Sequence, residues 1–157
     1  MRKILFSIFI LLVVLSLSCK KTYVNGKTNA EKAAHGWWIT FKENGVDTFG
    51  IGTVFLDTYN TSNDDSIWVD DLTNTWQYKV KAKLDYTNLT FSTKGAQNEY
   101  YNITVDIMDG KILPKAGRSK SGVATDSINF RVVFSDSPPD TFTVAGTART
   151  GFIQDDY

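Results

Sequence analysis

The 157-residue chain predicts an all-β domain, about eight antiparallel strands in up-and-down order closed into a barrel. Three observations carry that expectation. Residues 75–86, 99–108 and 127–135 alternate apolar and polar side chains with period 2, as strands with one buried face do. Turn-forming clusters ("ENG", "YNTSNDD", "TNT", "KGAQN", "MDG", "SDSPPD") punctuate the chain between short runs. One helical turn at most is written before the first strand. Strands with a single apolar face must pair or close, because open edges invite aggregation.

The elements follow in chain order. Arg2 and Lys3 precede an apolar run from Ile4 to Leu17, which fits a signal peptide and is short of the roughly 20 residues of a membrane-spanning helix. Residues 1–18 are therefore expected to be removed. Cys19, the only cysteine, follows "SLS" at the position of a bacterial lipobox, although Ser16 and Leu17 stand in swapped order. A lone cysteine in an exported chain forms no internal disulfide, and acylation explains its place. Each buried methylene adds about 0.8 kcal/mol to such an anchor. Residues 19–34 read as the lipidated cysteine and a polar tether, with Asn29 expected to cap one turn over "AEKAA". Residues 35–157 form the domain.

Within it, strands are expected at 37–43, 48–58, 66–70, 75–86, 88–93, 99–108, 127–135 and 140–150, with a bulged or irregular connection over 109–125. In 75–86, Trp76, Tyr78, Val80, Ala82, Leu84 and Tyr86 oppose Gln77, Lys79, Lys81, Lys83 and Asp85. Those lysines, with Arg131, also disfavour an integral outer-membrane barrel, whose outer face must be apolar. Without the first eighteen residues, 15 basic side chains stand against 17 acidic ones. No basic excess is present to neutralise phosphates, so nucleic acid is not an expected partner.

Catalytic signals are weak. His35 is the only histidine, and "GRSKSG" (117–122) places Ser121 where a nucleophile elbow needs its second glycine. The acid-rich stretch "DTYNTSNDDSIWVDDL" (57–72) fails as a calcium loop, because Asp65 occupies the glycine position and Asp71 replaces the bidentate glutamate. It reads instead as a turn and a return strand, its carboxylates mostly in water and Trp68 turned inward. No metal and no cofactor is expected. The aromatic residues on predicted inward faces, Trp68, Trp76, Tyr78, Tyr101 and Phe130, are the candidate ligand-binding set.

The stretches "TYNTSNDDSIWVDDL", "WQYKVKAKLD", "VDIMDGKI", "DSINFRVVFSD" and "FTVAGTARTGF" resemble the lipid-binding putative hydrolases, over about Gly36 to Phe152. These are small exported lipoproteins of Gram-negative bacteria with a calycin-like (lipocalin-type) barrel. The resemblance implies that fold, an apolar ligand, and closure of one barrel end by Gly36, Trp38 and Arg149, the tryptophan packing beneath the arginine. It implies hydrolysis only by label. The expected function is an outer-membrane lipoprotein, on the periplasmic or cell-surface face, binding a small hydrophobic or lipid-like molecule inside the barrel. One alternative is a packed barrel presenting loops 57–66 and 114–124 to an envelope partner. Another is a lipid-ester hydrolase using His35 with Ser119 or Ser121.

Overall fold

A computed structural model describes residues 26–157. The expected signal peptide, Cys19 and the start of the tether lie outside the described residues. The domain is a closed barrel of eight antiparallel strands, each paired with its sequence neighbour and the last with the first. The strands are β1 (His35–Glu43), β2 (Thr53–Asn60), β3 (Ser66–Asp70), β4 (Lys79–Asp85), β5 (Thr90–Gln97), β6 (Thr104–Arg118), β7 (Ala124–Phe134) and β8 (Phe142–Ala148). Single 3-10 turns sit at Glu31–Ala33 and Ile153–Asp155. The first falls where a helical turn is expected, but Ala30 stands at its N-cap with no side-chain bond, so Asn29 does not cap it. The second has no counterpart in the sequence reading.

Alternation sets which side chains fill the barrel. Trp37, Ile39 and Phe41 point in from β1, and Val80, Ala82 and Leu84 from β4, while Lys79, Lys81 and Lys83 face out. Most of the inward groups, among them Trp37, Leu56, Val69, Tyr78 and Phe130, are 0 % exposed. Even a water molecule cannot reach them, so the interior is filled by its own side chains. Eight strands are just narrow enough for that.

Three strand boundaries differ from expectation, each for a local reason. β4 starts at Lys79 rather than at residue 75, because Gln77 takes φ 59°, which breaks an extended run. β6 starts at Thr104, leaving Tyr100 and Tyr101 in the preceding loop. The stretch expected as a connection over 109–125 is mostly a long hairpin of β6 and β7. Its ladder shifts register after Met108 and again after Leu113, where Asp109 and Lys115 both take φ 55°.

The end of the barrel where β1 begins is closed by the N-terminal segment. Ala30 and Ala33 are buried there, and the Thr58 hydroxyl donates to Ala33 O at 2.5 Å while accepting from Trp37 Nε1 at 2.8 Å. Closure by Trp38 beneath Arg149 is not what the structure shows. Strand parity sends Trp37 inward and leaves Trp38 on the outer wall, between the rings of Phe55 and Tyr157. Arg149 pairs with Asp156 and lies 6.0 Å from the Phe55 centroid, and its N–H donates to Gly36 O. Gly36 lets the Phe55 ring lie close over the backbone: a Cβ there would sit 2.5 Å from Phe55 Cζ and would push that ring aside.

Thr58→Val keeps the shape at the closed end but strands the Trp37 indole N–H in the core. It is expected to lower stability by about 1–3 kcal/mol, the cost of a buried unpaired donor. Urea unfolding measures this, and an unchanged midpoint would contradict the assigned role of the hydroxyl.

Candidate functional site: the aromatic mouth of the barrel

The end opposite the N-terminal turn is formed by four loops: 44–52, 71–78, 98–103 and 135–141. Loop 71–78 is built around one carboxylate. Asp71 Oδ1 accepts from the amides of Thr73 and Tyr78, both at 2.9 Å. Its Oδ2 accepts from the amides of Thr75 (3.1 Å) and Gln77 (2.8 Å) and from the Thr75 hydroxyl (2.7 Å). Asp71 is 0 % exposed, and burial pushes its carboxyl pKa up against the pull of those five donors. The bonds hold a loop in which Leu72, Thr73 and Gln77 all take positive φ, a conformation disfavoured for residues with a Cβ.

Two further side chains lock the loops together. Asn98, buried, accepts from the Lys79 amide at 2.8 Å and donates to Gln77 O at 3.0 Å. Asp136 accepts from Trp76 Nε1 and from the Tyr101 hydroxyl, each at 3.1 Å. Partial burial and the Asp136 carboxylate push the Tyr101 hydroxyl up to about 12, so it stays a proton donor. Thr75, Trp76, Gln77, Tyr101 and Asp136 line an open pocket of about 340 Å³.

Beside this pocket the barrel is stoppered by aromatic rings. Trp76 stacks on Phe134 with centroids 5.1 Å apart, and Phe41 stacks on Phe142 at 4.6 Å. Phe49, from loop 44–52, meets Trp76 edge-on at 5.6 Å and is 51 % exposed. That loop is held by Asp47, which accepts from the amides of Ile51 and Gly52. Tyr78 lies under the rings, 5.3 Å from Phe134, and its fully buried hydroxyl has no hydrogen-bond partner.

Of the five expected ligand-binding residues, Trp76 and Tyr101 meet at the mouth and Tyr78 lies just beneath it. Phe130 is inside the barrel against Phe91, with ring centroids 5.5 Å apart. Trp68 does not face inward. Ile67 and Val69 take the inward positions of β3, and Trp68 lies on the outer wall beneath the ammonium groups of Lys79 (5.1 Å) and Lys81 (4.7 Å). Nor do all the acids of 57–72 face water. Asp70 and Asp71 are buried, and Asp70 accepts from the hydroxyls of Tyr59 (2.9 Å) and Tyr100 (2.6 Å). Phe49, Phe142 and Asp136 belong to the mouth and were not singled out from the sequence, and Asp71, weighed only as a calcium ligand, is there as the acceptor that holds the loop. Phe49 and Phe142 do stand in apolar alternation beside turn clusters, a readable signal, whereas nothing marks Asp136.

The hydrolase arrangement is not assembled. His35 Nε2 is 3.8 Å from Asp126 Oδ2, and its ring meets Trp37 edge-on. Ser119 and Ser121 bond to one another at 3.2 Å, and the Ser121 amide donates to Asp155. Among the described residues, His35 makes no hydrogen bond to either serine.

Asp71→Asn places an amide N–H₂ where only acceptors fit. It is expected to cost about 2–4 kcal/mol and to speed hydrogen exchange at Gln77 and Tyr78. Native-like exchange at both amides would show that the carboxylate does not organise the loop.

No curated protein matches the chain. A family model described as "Lipid-binding putative hydrolase" matches residues 22–153, which spans the barrel and most of what flanks it. The chain thus belongs to the lipid-binding putative hydrolase family.

Proposed function

We propose that this protein binds a single-chain lipid or similar amphiphile through the aromatic mouth of its barrel, and that it does so as an exported lipoprotein held to the outer membrane by an acylated Cys19. The observation that carries the binding site is the continuous run of rings from solvent-exposed Phe49, through Trp76 and Phe134, to buried Tyr78. Since the interior is full, an acyl chain enters only by displacing rings of this stopper, and the chain then buries against the surfaces the rings vacate. Phe49 is the ring best placed to leave, being half exposed on a loop whose Gly45, Gly50 and Gly52 all take positive φ. The Tyr78 hydroxyl supplies a donor that an ester, ether or alcohol oxygen of the ligand would satisfy.

The filled interior favours a second reading, a packed barrel that presents its loops to another envelope protein. In that case no amphiphile binds, and the exposed rings at the mouth are the contact surface.

Trp fluorescence titration with short-chain alkyl ligands separates the two. The lipid reading expects a saturable change that Trp76→Phe removes and Trp68→Phe preserves, because Trp68 is on the outer wall. Flat titrations, or a signal lost only in Trp68→Phe, would sink it. Tyr78→Phe removes an unpartnered hydroxyl, so it is expected to raise ligand-free stability by about 1–2 kcal/mol while weakening binding of an oxygen-bearing ligand. The anchor is checked separately: Cys19→Ala is expected to move the protein from the membrane to the soluble fraction, and retention in the membrane would refute it.

A further inference from the structure

The mouth carries a charge pattern that bears on which amphiphile it accepts. Its four loops hold Asp47, Asp71, Glu99, Asp136 and Asp140 and contain no lysine or arginine. The opposite end mixes signs, with Lys27, Lys32, Lys120 and Arg149 offsetting its carboxylates. Lys42 and Lys79, on the adjoining strand ends, do not reverse this bias. Lys79 is turned to the outer wall, 3.8 Å from Asp70 and over the rings of Tyr59 and Trp68. Lys42 acts on Asp47 and Lys79 on Glu99, neither of which lines the pocket around Asp136.

The pocket at the rim combines the two groups that recognise an organic cation. Trp76 and Tyr101 bring two aromatic rings to the pocket, one face of Trp76 being covered by Phe134, and the Asp136 carboxylate between them supplies a full charge. Asp136 is anchored by both aromatic side chains, so its position is set before any ligand arrives. An independent sign that a ligand belongs here is the Tyr78 hydroxyl, 0 % exposed and unpartnered beneath the adjoining stopper. An anionic head group would instead meet the exposed Asp136 carboxylate at this open rim, with no arginine or lysine in those loops to pair with it.

On the reading that the mouth binds an amphiphile, we infer that its preferred ligand carries an ammonium head group, seated at Trp76, Tyr101 and Asp136, with the alkyl chain directed into the aromatic stopper. Carboxylate and phosphate head groups are selected against.

Isothermal titration calorimetry of the barrel domain with decyltrimethylammonium, 1-decanol and decanoate, each below its aggregation limit, tests this at constant chain length. The ammonium probe is expected to bind about tenfold more tightly than decanol, and decanoate more weakly than either. Added salt should narrow the gap between the two charged probes. In Asp136→Asn, the ratio of ammonium to decanol affinity should fall about tenfold. Should that variant not fold, the ranking of the three probes on the wild-type protein still decides the matter. Decanoate binding as well as the ammonium probe, or a ratio unmoved in a folded Asp136→Asn protein, overturns the head-group inference while leaving amphiphile binding intact. Failure of all three probes overturns amphiphile binding itself.

Discussion

The mouth of this barrel depends on one buried carboxylate. Asp71 sits in a place where burial disfavours its charge, and it is retained there by donors that the loop's own backbone supplies. The trade works in both directions. Without the carboxylate, four amides of loop 71–78 would lose their acceptor and three residues would have no reason to keep positive φ. With it, Trp76 is delivered onto Phe134, and Gln77 O faces the Asn98 amide that ties in the next loop. Asp136 then fastens the third loop through Trp76 and Tyr101. A single residue at the end of β3 thus sets the positions of side chains from three loops.

Below the mouth, packing determines what binding can mean. A hollow barrel gains the whole burial energy of an acyl chain, at about 25 cal/mol per Å² of apolar surface. This barrel is already dense, so a chain that enters must turn rings out, and only the difference in burial is gained. Phe49 is the least costly ring to expose, because half of it already meets water. On the proposed binding mode, affinity would therefore rest heavily on the rim, where the polar head group would meet Asp136, Tyr101 and Trp76. Selectivity at such a site comes more from charge than from cavity shape.

The strands were legible because period 2 is written plainly in β4, β6 and β7, and the nearest-neighbour order follows from short turns between them. Parity was the harder question. "SIWVD" allows either face inward, and its large ring suggested burial, yet the small aliphatics Ile67 and Val69 fill the narrow interior while lysines cover Trp68 from outside. The same ambiguity in "GWW" exchanged Trp37 for Trp38 at the closed end. Tyr101 continued the alternation of Ile103, Val105 and Ile107, but the strand begins only at Thr104. No local rule announces where a strand stops when a distant side chain captures its backbone. Asn98 does so at Lys79 N, and Asp71 does so at Gln77 and Tyr78. The family resemblance was legible across the barrel for a different reason: it rests on whole segments, not on the direction of any one side chain.

The two ends of the barrel also bear on where the ligand comes from. The N-terminal residues 26–34 pack at the closed end, where Ala33 is bound by Thr58 on the side away from loops 71–78 and 135–141. If Cys19 carries the proposed acyl anchor, only six residues separate it from Gly26, a reach of at most about 25 Å when fully extended. The closed end would then be held near the bilayer and the mouth turned from it. A barrel so mounted does not draw its ligand straight from the surface that holds it. The acidic rim fits this orientation, since a bilayer bearing anionic lipid would repel five carboxylates and offer them nothing to pair with. The ligand would reach the mouth from the aqueous side or from a partner that carries it, and a positively charged head group would be drawn along the field those carboxylates create.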